Sequence, residues 1–159
     1  MKRIGIIFIL ILVGVGFTKA QNNTHRWLPL QNKQAMKIWY DAAMIDNVND
    51  SETFDVWILE QHTPPLRFKE IKGRVYRSKI LYTINLKTVK YGIMKVVYYS
   101  SANKKLYNFN YPIANFPDKY KYTYPIMKDN YLYYIIRQYI RQYIKVEKMN
   151  KLKKNEKTK

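Results

Sequence analysis

The sequence predicts an α+β fold: a small antiparallel sheet of five to six strands in a meander, with a C-terminal amphipathic helix packed on one face. Three observations carry this. Apolar residues alternate with period two through the middle of the chain, prolines and turn-forming residues break the alternation at short intervals, and the period changes to about 3.6 near the C terminus.

The first twenty residues stand apart. "MKRIGIIFILILVGVGFTKA" has Lys2 and Arg3, an apolar or glycine run from Ile4 to Phe17, and Thr18 and Ala20 where a signal peptidase reads. A core of about fourteen residues is short against the roughly 20 needed to span a bilayer. The segment 1–20 is therefore expected to be a secretory signal peptide, cleaved after Ala20. The mature chain is expected to be exported, whether periplasmic, outer-surface or secreted.

The sequence has no cysteine. This excludes a lipid-modified cysteine at the end of the signal, a disulfide, a thiol nucleophile and a thiolate zinc site, so the protein is expected not to be lipid-anchored. Removing Lys2, Arg3 and Lys19 from the 29 basic residues leaves 26 against 11 acidic, a formal +15. That balance favours partners of negative charge. A chain of this length is enough for one domain with one core, expected over 21–149.

The first strand is expected in "MKIWYDAAMID" (36–46), with Met36, Ile38, Tyr40, Ala42 and Met44 on one face. In "TFDVWILEQ" (53–61), Phe54, Val56 and Ile58 share one side while Trp57 and Leu59 take the other. "NVNDSE" (47–52) joins the two as a hairpin turn. Pro64 and Pro65 cannot donate to a ladder, and with Gly73 they are expected to interrupt the sheet. "RVYRSKILYTINL" (74–86), "YGIMKVVYYS" (91–100) and "KLYNFNYP" (105–112) supply three more strands, with turns at "KTVK" and "SANK".

From Pro112 to Pro125 three prolines and four aromatics predict an extended crossover packed by its rings. Asp129 is a candidate N-cap for the helix that follows. On a 100° wheel Leu132, Ile135, Ile136, Tyr139, Ile140, Tyr143 and Val146 fall on one face, and Arg137, Arg141, Lys145 and Lys148 fall opposite. The apolar face is expected to cover the sheet. "NKLKKNEKTK" (150–159) has one leucine and no period, which predicts a solvated, disordered tail.

With these pieces in order, the chain resembles the surface-adhesin protein E family of exported bacterial proteins. The resemblance rests on Trp27, the strand ending Trp39, Tyr40, Asp41, the "VWI" of Val56 to Ile58 with Trp57 at its centre, "INLKTVKY" (84–91) and a helix led by Pro125, and covers most of residues 27 to 136. It implies a six-stranded antiparallel sheet with a packed helix, and a binding role at the cell surface. Family members carry a cysteine in the run matching Ile84, Asn85 and Leu86 and another near Ile135 or Ile136, and this chain has neither. A hydrophobic contact is expected in place of that bond. Two aliphatic side chains buried at about 1.5–3 kcal/mol each match a cross-link of typically 2–4 kcal/mol.

Residues for chemistry are sparse. His25 lies in the N-terminal leader and His62 beside Pro64, and both are read as surface histidines rather than bases. The serines have no nucleophile-elbow context. Asp46, Asp50, Glu52 and Asp55 cluster at one hairpin but match no calcium-loop spacing. No metal, no cofactor and no catalytic residue is expected. Asp41, inside a strand, is read as a structural partner for a hydrogen bond or a neighbouring cation.

Sixteen tyrosines, many interleaved with lysine, are the remaining signal. Tyr120 and Tyr122 with Arg137, Arg141, Lys145 and Lys148 are the candidate binding surface. The expected function is that of a non-enzymatic, adhesin-like binding protein of the envelope or exterior, contacting a protein or anionic polymer at the cell surface. The alternative is an accessory envelope protein held electrostatically to anionic membrane lipid, a peripheral contact worth roughly 1 kcal/mol per basic side chain. No nucleic acid is expected as partner, because an exported protein rarely meets it.

Overall fold

The computed structural model describes residues 25–30, 37–46 and 51–156. The expected signal segment 1–20, residues 47–50 of the expected hairpin turn and the last three residues of the expected tail lie outside these. The α+β prediction holds. Among the described residues seven strands form one antiparallel sheet: β1 (Trp27–Pro29), β2 (Lys37–Asp41), β3 (Thr53–Leu66), β4 (Val75–Asn85), β5 (Lys90–Tyr99) and β6 (Lys105–Asn110) in sequence order, with β7 (Tyr124–Pro125) on β5. A 26-residue helix, α3 (Tyr131–Glu156), packs on one face.

The strand expected over 36–46 ends at Asp41, and Ala42–Asp46 forms a short helix, α1. Asp41 causes the change. Its Oδ1 accepts from the backbone N–H of Ala43 at 3.1 Å, an N-terminal cap that favours a helical turn over further extension. Ile45 rather than Met44 then points into the core.

Pro64 and Pro65 do not end the third strand, which runs on to Leu66. Pairing with β4 breaks after Gln61↔Arg77 and resumes at Leu66↔Val75, so both prolines sit in a bulge where no ladder donor is required. A second irregularity falls between Leu81 and Tyr82, where Met94 is the extra residue of β5. Its carbonyl accepts from Tyr111 N–H at 2.8 Å.

The crossover is not extended throughout: a 3-10 turn at Ile113–Asn115 and a helical turn, α2 (Asp118–Lys121), each follow a proline. This segment lies close over Gly92, where a Cβ would collide with the Lys121 carbonyl. Pro125 belongs to β7 and pairs with Lys90, so it does not lead the helix. The cap of α3 is Asn130, whose Oδ1 accepts from Leu132 N–H at 2.9 Å, and not Asp129.

The core joins Ile38 and Tyr40 of β2, Phe54, Val56 and Ile58 of β3, and Tyr82 and Ile84 of β4 to Leu132, Ile135, Ile136 and Tyr139 of α3. Leu86 packs against this cluster. Phe54 stacks on Tyr139 with ring centroids 4.0 Å apart. Ile140 was expected in this face but is 44% exposed, since the helix has passed the edge of the apolar cluster by that turn. Beyond it the helix continues to Glu156, through the first seven residues of the expected disordered tail. Lys151 and Glu147 bridge one helical turn at 2.6 Å.

Candidate functional site

Strand pairing fixes which side chains share the sheet face turned away from α3. One row across the strands reads Trp57, Leu81, Lys95, Asn110; the next reads Pro29, Trp39, Leu59, Lys79, Val97, Asn108; the third reads Lys37, Gln61, Arg77, Tyr99, Lys105. Trp27 lies on the same side, opposite Asp41. All three tryptophans of the chain therefore occupy one face, and all three are only half-buried. The rows carry five basic side chains, Lys37, Arg77, Lys79, Lys95 and Lys105; the acids of the same parity are Asp41, buried opposite Trp27, and Asp55, two residues before Trp57.

Lys79 is the centre of this face. Its Nζ lies 4.5 Å from the ring centroid of Trp57 and 5.4 Å from that of Trp27, positions where the indole faces attract a cation. It donates to His25 Nε2 at 2.9 Å. His25 Nδ1–H in turn donates to Asp41 Oδ2 at 2.5 Å, since an ionised carboxylate only accepts. Asp41 is 1% exposed, and its Oδ1 also accepts from Arg26 N–H at 3.0 Å. Burial pushes the Lys79 pKa down, with Lys95 acting in the same direction and Asp41 against it.

This chain of bonds has a chemical consequence. A histidine oriented by a buried carboxylate resembles a catalytic base, but here Nε2 already accepts from an ammonium group. The arrangement fixes Lys79 between two indoles instead of activating a nucleophile. His25, expected as a loose surface residue, is pinned by Asp41. His62 is likewise not at the surface: it is 7% exposed and its Nε2 lies 2.7 Å from Ser78 Oγ on the helix side of the sheet.

A hollow of about 200 Å³ lies at the edge of Lys79, lined by Trp27, Leu59, Arg77, Lys79, Tyr99 and Asn103. Arg77 Nη2 donates to the carbonyls of Ser100 at 3.4 Å and Ser101 at 3.2 Å, which sets the plane of its guanidinium. Asn103, at the tip of the β5–β6 hairpin, takes a φ of 61°, a conformation asparagine tolerates.

The opposite face holds a separate polar cluster. Tyr131 O–H donates to Glu60 Oε1 at 3.0 Å, and the Tyr131 and Tyr82 hydroxyls lie 2.9 Å apart. Burial raises the Glu60 pKa, and the Tyr131 hydrogen bond opposes that shift. These bonds tie the first turn of α3 to the sheet and leave no buried side-chain polar atom unpartnered among the described residues.

The sequence-predicted binding residues fall elsewhere. Arg137, Arg141, Lys145 and Lys148 are exposed along the outer side of α3, across the sheet from the tryptophans. Tyr120 is 61% exposed, but Tyr122 is 5% exposed and is a core residue of the crossover, not a surface one. Of the positions carried by the resemblance, Tyr40 is core, Asp41 is a buried acceptor, Pro125 is an exposed strand residue, and Trp27 and Trp57 flank Lys79. Asp46 pairs with Arg26 at 2.6 Å and Glu52 with Lys87 at 3.8 Å. Among the described residues no three histidine, cysteine, aspartate or glutamate side chains gather as a metal site, and no helix is long and apolar enough to cross a membrane.

The residues missed at the sequence level are Lys79, Arg77, Tyr99 and Lys95, and Trp39 entered only through the resemblance and not as a binding residue. Their signal was parity: Trp57 and Leu59 alternate against the buried Phe54, Val56 and Ile58, and Trp39 against Ile38 and Tyr40. No family model, curated protein or solved structure matches the chain.

Proposed function

We propose that the protein is an exported, non-enzymatic binding protein of the bacterial envelope or exterior, whose ligand surface is the open face of the sheet. The single observation that carries this reading is the gathering of all three tryptophans and five basic residues on the side away from α3, where, among the described residues, the acids of the same parity are only Asp55 and the buried Asp41. Half-exposed tryptophans are costly to leave against water and are the side chains that dominate binding energy once covered. The cations select an anionic protein or polymer and speed its approach. An adhesin-like role, as the resemblance to the surface-adhesin protein E family implies, fits such a surface.

A second reading keeps one specific observation in its favour. The outer half of α3 exposes Ile140, Ile144, Met149 and Leu152 beside its line of basic residues, a pattern that suits the surface of an anionic membrane. Titration of the mature chain with dextran sulfate separates the two. Paired Lys79→Gln and Lys95→Gln should weaken binding by about tenfold, and paired Arg137→Gln and Arg141→Gln by less. The reverse order would move the function to the helix.

A further inference from the structure

The hollow beside Lys79 has more definition than a basic patch. Its apolar walls are Trp27, Leu59 and Tyr99, and its polar groups are Arg77, Lys79 and Asn103. At about 200 Å³ it is smaller than the ~300–1,000 Å³ of pockets for drug-sized molecules, and suits one ring-sized group. Arg77 and Lys79 are two apart on β4, so both project to the same face roughly 7 Å apart along the strand. Each is held before any ligand arrives, Arg77 by the carbonyls of the β5–β6 turn and Lys79 by His25. Preset cations lose little freedom on binding, which favours an anion that fits between them.

We propose that this hollow takes one acidic sugar residue of a polysaccharide, a uronate or sulfated pyranose. Its ring lies against Trp27 and Tyr99, and its acid group sits between Arg77 and Lys79. The inference rests on the open-face reading and deepens it. A pyranose offers a flat face of C–H groups to an indole, whereas an aspartate or glutamate side chain brings the charge but no ring to cover the apolar walls. A polymer that repeats the acid also extends naturally along the face, where Trp57 and Trp39 lie next to Trp27 and Lys95, Lys37 and Lys105 continue the positive charge.

The test compares four polymers with the mature chain at physiological salt: polygalacturonate, dextran sulfate, neutral dextran and polyglutamate. At least one of the two acidic polysaccharides should bind about tenfold more tightly than polyglutamate, and dextran should not bind. Arg77→Gln and Trp27→Ala should each reduce that preference, with melting curves confirming that the variants fold; Arg77→Gln, at the rim, keeps the test valid if Trp27→Ala does not fold. Equal binding of polyglutamate, still lost in the Lys79→Gln and Lys95→Gln pair, would overturn the sugar assignment and leave the open face as a site for acidic proteins. Binding of every polymer unchanged by the open-face variants would overturn both.

Discussion

Asp41 shows how one side chain can hold a surface in place. It caps α1, accepts from Arg26 N–H and orients His25, which in turn holds Lys79 between two tryptophans. Asp41→Asn keeps the size but presents an amide to a histidine nitrogen that now donates. If His25 changes tautomer to accept, its Nε2–H faces the Lys79 ammonium, so one bond of the chain is lost either way. We expect a cost of about 1–3 kcal/mol in urea unfolding, against less than about 1 for Asp46→Asn, whose bridge to Arg26 is exposed. His62 supplies a pH dependence. Burial lowers its folded-state pKa below the ordinary histidine value, so its contribution is present above about pH 6.5 and is lost as pH falls through the folded value. His62→Gln should flatten that part of the stability profile, and an unchanged slope would show that the ring is as solvated in the fold as in the unfolded chain. The sequence marked Asp41 as structural because a strand interior disfavours it. It gave no sign of His25 as its partner, because the pairing of β1 with β2 that joins them is a tertiary fact.

At the scale of elements, the helix divides differently from its sequence pattern. The apolar wheel runs unbroken from Leu132 to Val146, but the sheet offers apolar surface only as far as Tyr139. Ile135, fully buried, should therefore be intolerant: Ile135→Asp should cost more than about 3 kcal/mol, from the lost side chain and the buried charge. Ile140→Asp, on a residue 44% exposed, should cost less than about 1 kcal/mol. Comparable losses of melting temperature for the two would contradict the boundary drawn here. Of the described side chains, truncation after Met149 removes only the exposed ones of Asn150 to Lys153, with one surface ion pair, and should leave the melting temperature nearly unchanged. Strand existence was legible because alternation reports burial directly. Strand ends were not, because the cap at Asp41 and the bulge that tolerates Pro64 and Pro65 depend on what lies opposite. The short turns of the crossover were also hidden, since proline-rich sequence serves both an extended segment and the start of a helical turn.

For the whole molecule, a meander of antiparallel strands sorts residues by parity into two faces, and one helix can cover only one of them. The covered face became the core, and the other collected the tryptophans. The sequence showed two faces on β3 but could not say that Trp27, Trp39 and Trp57 would meet, because that requires the registers of β1, β2 and β3. The basic residues that alternation did place, Arg137 to Lys148, lie on the far side of the fold from them. Two cationic surfaces thus face opposite directions, and salt alone will weaken binding through either. The indole N–H resonances distinguish them directly, because every tryptophan reports on the same face. On titration of the chain from Gln21 onward with polygalacturonate or dextran sulfate, the indole signals of Trp27 and Trp57 should shift and saturate while the backbone amides from Arg137 to Lys148 stay in place. Shifts confined to those helix amides, with the indoles unmoved, would contradict the assignment of the open sheet face as the binding surface.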